Sequence, residues 1–290
     1  MNEHFFIYDD RFYSAGTPVI SAGNRGLRYA DGLFETMRMY QGKILLQDFH
    51  FERLMIGLRL LQFEIPETFN SLFLIKKINA LAAKNQPGKN AGIRLMVFRG
   101  EGRILDNDNN LLHYIIETWP LSEKIEWNDN GLVVDIFPDA RKSCDLFSGI
   151  KSNNYLPYAM ARLFAKKNKL DEAIILNTNG RICESAIANI FIIKGKNIYT
   201  PPLSEGCVAG VMRRWLLEKD NLKNYTFLEK ELSVEDILDA DELFLTNSVK
   251  MLTWVRDFRG KIYSHKRSFK IFQQILEVIK DHEGLQLPGR

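Results

Sequence analysis

Apolar and polar positions alternate with period two through much of the first fifty residues, the spacing of half-buried strands. Phe5 to Tyr8, Phe34 to Tyr40 and Lys43 to Leu46 are such runs, and Gln41-Gly42 supplies a tight turn between the last two. The period then lengthens. Phe49, Leu54, Leu58 and Leu61 share one side of a helix that Asp48 is placed to cap. A second helix follows Pro66 and runs to Asn85, with its stop at Pro87-Gly88. Strands are expected at Ile93 to Phe98 and Leu111 to Thr118, and again at Leu132 to Phe137. Beyond these come a helix over Leu156 to Lys169 and a hairpin of Ala173 to Leu176 with a strand near Arg181, turned by Asn177 to Gly180. Ala188 to Ile193 and Asn197 to Thr200 read as strands, Val211 to Leu222 and Ser268 to Asp281 as helices.

Strands and helices mix without a clean β-α alternation, which predicts two α+β lobes rather than a doubly wound sheet. The polar stretch from Trp119 to Gly131 is the best linker candidate. The division that follows is a small N-terminal domain over 1–120, a linker over 121–131 and a larger domain over 132–290.

Composition narrows the function classes. The 290 residues are 46% hydrophobic and 26% charged, a globular balance, and 39 Lys plus Arg against 36 Asp plus Glu leave a formal charge of only +3. A dedicated nucleic-acid binder concentrates basic charge, so none is expected here. Three cysteines without a CxxC pair, and five histidines without HxxxH or HxH spacing, argue against a disulfide framework or a metal enzyme. No apolar run reaches the roughly 20 residues that span a bilayer, and no basic-then-apolar leader opens the chain. A soluble cytoplasmic protein is the expectation.

Candidate chemistry gathers at a few places. The loop Ser204-Glu205-Gly206-Cys207-Val208-Ala209-Gly210 leads into a helix at Val211. Glycines let backbone N–H groups approach a ligand, and a helix start favours an anion, so this loop suits a phosphate or is an ordinary turn. It is not a Walker loop, because no Lys-Ser/Thr follows Gly210. Lys151, in Gly149-Ile150-Lys151-Ser152, has Tyr155 four residues on. A desolvated lysine can form a Schiff base with a carbonyl, though most lysines are solvated surface charges. Glu184 opens an apolar strand and needs a cationic partner, by composition an arginine. Arg53 either holds a phosphate oxygen or pairs with Glu52 or another acid. Arg94 and Arg99 lie an odd number of residues apart, so in an unbroken strand they face opposite sides, and one can reach a cleft.

Taken in order, RGLRYADGLFET, HFERL, IRLMVFRG, the Lys151 segment, ESAIANIFI, GCVAGVMR and LFLTNSVKMLTWV resemble the fold-type IV pyridoxal-phosphate enzymes, or class IV aminotransferases. That family includes branched-chain aminotransferase, D-amino-acid aminotransferase and 4-amino-4-deoxychorismate lyase, and the resemblance spans Phe5 to Val255. It implies a two-domain fold like that of D-amino-acid aminotransferase, with pyridoxal 5′-phosphate between the domains, and a homodimer. It implies a Schiff base on Lys151, which also moves the substrate proton. It further implies Glu184 on the pyridine nitrogen, Tyr155 on the ring oxygen, and Arg53, the backbone of Val211 and Met212, and Ser248 around the phosphate. Arg28, Tyr29, Phe34, Arg94, Arg99, Asn247 and Val249 fall at substrate-binding positions. Two departures favour the lyase slightly over an aminotransferase for branched-chain or D-amino acids. Gly210-Val211-Met212-Arg213 lacks the threonine of the aminotransferases, and Thr246 to Met251 lacks their glutamate.

Overall fold

The computed structural model describes residues 4–85, 89–103, 105, 109–218, 222 and 224–282. The chain groups into two compact units, 1–124 with 151–154, and 125–150 with 155–290.

The first unit holds β1 (Phe5–Tyr8), β2 (Arg11–Ser14), α1 (Arg25–Tyr29), β3 (Gly32–Tyr40), β4 (Lys43–Ile44), α2 (Gln47–Leu60), α3 (Ser71–Asn85), β5 (Ala91–Arg99) and β6 (Leu112–Pro120). Its six strands pair antiparallel in the order β2-β1-β6-β5-β3-β4. Leu54, Leu58, Leu74, Ile78 and Leu81 of α2 and α3 are fully buried, so both helices bury the apolar stripe that their 3.6-residue period writes. Asp48 does not cap α2. The chain enters that helix through Leu46 in a left-handed conformation (φ 53°), and Asp48 lies inside the first turn, where its charge complements the helix dipole. The stop at Pro87-Gly88 lies outside the described residues. Residues 151–154 group with this unit because Phe34 N–H donates to Lys151 O (2.9 Å), Asn153 N–H donates to Gly32 O (2.9 Å), and Ser152 bridges Leu33. A single cut in the sequence could not have expressed that.

The second unit holds β7 (Leu132–Lys142), α4 (Leu156–Lys167), β8 (Glu172–Asn177), β9 (Ile182–Ser185), β10 (Asn189–Lys194), β11 (Asn197–Thr200), α5 (Val211–Leu217), β12 (Thr226–Glu229), α6 (Val234–Asp239), β13 (Glu242–Asn247), β14 (Met251–Phe258), β15 (Lys261–Ile262) and α7 (Lys266–His282). Its sheet runs β12-β11-β10-β13-β14-β7-β8-β9, with β15 paired on β14, and mixes parallel with antiparallel neighbours. One core lies under Ile174, Ile190, Leu243 and Val255; another packs Ala161 and Ala165 of α4 on Phe137 and Ile175. The expected linker is only partly one. Trp127 stacks on Trp254 (6.3 Å between centroids) and meets Phe269 and Phe272, while Trp254 Nε1 donates to Asn128 O (2.6 Å). That aromatic burial ties 125–131 to the second unit. The helix expected from Val211 to Leu222 ends at Leu217. Among the described residues no helix is long and apolar enough to cross a membrane.

The Asp9–His113 pair gives the first unit a titrating contact. Asp9 Oδ2 lies 2.5 Å from His113 Nδ1. That hydrogen bond raises the imidazole pKa above its ordinary 6.5 against an opposing effect of burial. The stabilisation is therefore complete below the unfolded-state value and disappears as pH rises through the folded one. Asp9→Asn should flatten the pH dependence of thermal stability through neutrality, and Asn tolerates the positive φ (40°) at this position. Melting curves from pH 5 to 8 that run parallel for both proteins would refute this coupling.

Candidate active site

Within the first unit, β3 is buried along nearly its whole length and delivers Phe34 and Glu35 side by side. Their side chains go to opposite faces of the strand, and the two faces build different things.

On the Phe34 face, the ring of Phe34 carries two cations: Lys151 Nζ lies 4.5 Å from its centroid and the Arg94 guanidinium carbon 4.3 Å. The strand register explains both, since β5 sets Arg94 opposite Thr36 and Lys151 pairs with Phe34 through the backbone. Arg94 Nε is buried without a hydrogen-bond partner among the described residues. The register also sets Glu117 opposite Arg94, yet no ion pair joins them there.

On the Glu35 face, the carboxylate is 1% exposed and receives three donors. Arg53 Nε donates to Oε1 (2.7 Å), Arg53 Nη2 to Oε2 (2.5 Å), and His50 Nδ1 lies 2.7 Å from Oε2. His50 and Arg53 are i and i+3 on α2, so one face of that helix presents both. Burial alone would raise the Glu35 pKa, but Arg53 and His50 reverse this and hold it at about 2. Burial likewise pushes His50 down, against the pull of Glu35. Arg53 is thus paired with Glu35, an acid of a different element from the Glu52 considered in the sequence.

Arg99, at the end of β5, is committed to its own chain. It pairs with Asp31 (2.6 Å), donates to Asn110 Oδ1 (3.1 Å) and to the carbonyls of Leu61 and Gln62, and stacks on Phe63. Arg28 and Tyr29 are exposed on α1, with Arg28 Nε on Ala22 O (2.7 Å).

The second unit gathers the rest. Glu184 on β9 is 3% exposed. Lys142 Nζ (2.7 Å) and Tyr158 Oη (2.7 Å) both donate to its Oε1, and Val208 N–H donates to Oε2 (3.1 Å). Its cationic partner is a lysine rather than the arginine that composition favoured. β8 brings the pair together, because it pairs Asn177 with Lys142 on one side and Ile175 with Glu184 on the other. Tyr155 stacks on Tyr158 (4.6 Å) and donates to Ala186 O (3.1 Å).

The glycine-bearing loop is pinned at both ends. Glu205 is buried and forked by Arg181 (2.5 and 2.6 Å), with Asn177 Nδ2 at 2.8 Å. Gly206 has φ +85°, and a Cβ there would overlap Ser143 O. Val208 O accepts from Asn189 Nδ2 (2.9 Å), and a Cβ on Gly210 would overlap Asn189 Oδ1. The loop then enters α5, where the side chains of Val211 and Met212 are buried. What these two residues offer a ligand is backbone N–H, which the first helical turn leaves without intrahelical partners. After β13, Asn247 Oδ1 accepts from Val249 N (3.0 Å) and Lys250 N (2.8 Å), closing a turn that carries Ser248.

Glu35, His50, Lys142 and Tyr158 were not singled out from the sequence. The i, i+3 spacing of His50 and Arg53 on one helix face was a usable signal for His50; which acid they meet was not. Nothing local marks Lys142.

Residues 32–258 match the family described as Amino-transferase class IV. An aminodeoxychorismate lyase of Bacillus subtilis is 30% identical, over 82% of this chain and 81% of its own length. A branched-chain-amino-acid aminotransferase of Pseudomonas aeruginosa is 29% identical, over 81% and 78%. The branched-chain aminotransferase of Thermoproteus uzoniensis, solved with norvaline, superposes with a TM-score of 0.87 over 97% of both chains at 23% identity, which fixes the fold as that of the fold-type IV enzymes. The chain belongs to the class IV aminotransferases, a family of enzymes that work with pyridoxal 5′-phosphate.

Proposed function

We propose that this enzyme is a lyase that converts 4-amino-4-deoxychorismate into 4-aminobenzoate and pyruvate, with Lys151 as the residue that carries the cofactor and moves the proton. The donor set fits a phosphorylated pyridine. Glu184 has an acceptor position left on Oε2 for a ring N–H, and Ser185 Oγ and Thr246 Oγ1 are buried hydroxyls without a partner among the described residues. Thr246 pairs in register with Asn189, the residue beside Gly210. The N–H groups of Val211 and Met212, the Arg53 guanidinium and the Ser248 hydroxyl would hold the phosphate. Tyr155 would exchange the Ala186 carbonyl for the ring oxygen.

When bound, the cofactor supplies an electron sink at the amine-bearing carbon. Lys151 Nζ takes the proton from that carbon as general base. The adjacent C–O bond then breaks, the ring becomes aromatic, and the enol of pyruvate leaves and takes up a proton. Arg94, beside Lys151 on the Phe34 ring, would receive a substrate carboxylate. That cation, without an acid partner among the described residues, is the observation that carries the reading, because the substrate brings two carboxylates and Arg99 is already spoken for. The two departures from the aminotransferase pattern, Met212 in place of the threonine and no glutamate in Thr246 to Met251, support the same reading.

The second reading is an aminotransferase for branched-chain or D-amino acids; the engagement of Arg99 with Asp31 favours the branched-chain form of it, because the resemblance gives that arginine to the substrate in lyases and D-amino-acid aminotransferases alike. Arg28, Tyr29, Asn247 and Val249 belong to the substrate positions of either reading, as do a homodimeric assembly and a cytoplasmic location. The test is to load the protein with pyridoxal phosphate and offer aminodeoxychorismate or an amino-acid panel. Release of fluorescent 4-aminobenzoate is expected. Conversion of the bound cofactor to its pyridoxamine form by an amino acid alone, without any 4-aminobenzoate, would replace the lyase with the aminotransferase. In either case Arg94→Met should raise KM by about 10- to 100-fold, the loss of one charge-assisted contact, with kcat changed far less. An unchanged KM would remove Arg94 from the site.

A further inference from the structure

We propose that Lys142 is a positioning residue for the reaction, fixing the orientation of Glu184 and pairing with its carboxylate, and so setting how firmly the cofactor's ring nitrogen keeps its proton. This rests on the cofactor reading above, and goes beyond it in naming a residue that no motif marks.

The argument starts from acceptor capacity. A carboxylate offers about four lone-pair positions, two on each oxygen. Lys142 and Tyr158 fill both positions on Glu184 Oε1, and Val208 N–H fills one on Oε2. A ring N–H is therefore confined to the last position on Oε2. With donors on both oxygens, the carboxylate plane cannot rotate without breaking one of them.

Lys142 is itself built in. Its side chain is 10% exposed, its Nζ donates to Ser148 O (3.3 Å) as well as to Glu184, and it lies 5.1 Å from the centre of the Tyr158 ring. Burial opposes its charge, but Glu184 outweighs burial and keeps it protonated. The Glu184 charge is thus already balanced before any ligand arrives. A pyridine nitrogen facing such a balanced carboxylate gains less from protonation than one facing a lone carboxylate in the same buried setting. Lys142 thus weakens the pull of Glu184 on the ring proton, while Glu184 keeps that proton in place.

A purely structural Lys142 would do only half of this: it would neutralise a buried acid, and its loss would cost stability without touching the ring nitrogen. The two roles are separated by following the ring nitrogen directly. Wild type, Lys142→Met, Lys142→Gln and Lys142→Arg would each be loaded with pyridoxal phosphate labelled with nitrogen-15 in the ring, and its chemical shift followed against pH. Lys142→Gln keeps a hydrogen-bond donor and loses only the charge, so it covers the case in which Lys142→Met fails to fold. The ring nitrogen should titrate about one pH unit higher or more in the neutral variants, and Lys142→Arg should return it towards wild type. Wild type that loads but whose midpoint is matched by Lys142→Gln would overturn the role of Lys142 alone. Wild type that takes up no cofactor would overturn the cofactor reading and this proposal with it.

Discussion

Lys151→Ala should lose turnover by roughly 10⁴-fold or more, the scale on which a combined covalent and proton-transfer residue acts, while the protein stays folded. The fold survives because the contacts that seat this segment are made by its backbone: Lys151 O accepts from Phe34 N, and Ser152 and Asn153 pair with Leu33 and Gly32. The side chain contributes its Nζ above the Phe34 ring, a cation–π contact worth about 0.5–1 kcal/mol at a partly exposed position. Lys151→Arg should be equally inactive, since it keeps the charge and the contact but removes the nucleophilic amine. Steady-state rates for both variants, with circular dichroism to confirm folding, provide the check. Borohydride reduction of the loaded wild type followed by peptide mass analysis gives an independent one, with the cofactor expected on the peptide bearing Lys151. Full turnover by either variant would sink the mechanism.

Glu35→Ala should cost about 3–5 kcal/mol of stability, the range for removing one partner from a buried ion pair. Arg53 and His50 would be left without the carboxylate that both now face, and His50 is fully buried. The same change should weaken cofactor binding, because Glu35 holds Arg53 by both Nε and Nη2 and so fixes the plane of the guanidinium proposed to hold the phosphate. The pH dependence has a definite sign. The folded pKa of Glu35, about 2, lies below the ordinary 4.5. Its contribution is therefore present above the unfolded value and lost as pH falls from there towards the folded one. Urea midpoints at neutral pH and at acid pH should thus converge for wild type and variant as the solution is acidified. Identical midpoints for the two proteins at neutral pH would show that the cluster adds nothing.

The elements were largely readable in advance, and the misreadings have local causes. The strands around Gln41-Gly42, the hairpin around Asn177 to Gly180 and the helices α2, α3, α4 and α7 all carry their period in the order of apolar residues. Asp48 looked like a cap because its residue type suits one, but the left-handed Leu46 had already started the helix. The short α1 escaped notice because it buries no residue and so writes no apolar stripe, being held instead by Asn24 accepting from Leu27 N. The polar Trp119 to Gly131 stretch read as a linker because Trp127 is one large side chain among many polar ones, and only its partners on β14 and α7 reveal where it belongs.

The candidate site divides along the same physical line. Lys151, Glu184 and the loop to Gly210 could be named from residue types in a fixed order, since each motif is a run of neighbours along the chain. Their partners could not. Glu35 reaches Arg53 across a strand and a helix, Arg99 reaches Asp31 from another element, and Lys142 meets Glu184 only because β8 lies between β7 and β9. Periodicity and turn chemistry are set by contacts within a few residues, so the chain order carries them. Which acid neutralises which base depends on strand register and on the face a helix turns inward. Those are settled when distant apolar surfaces are buried together, and with them whether an arginine such as Arg94 is left without an acid partner among the described residues or, like Arg99, is spent on holding the fold.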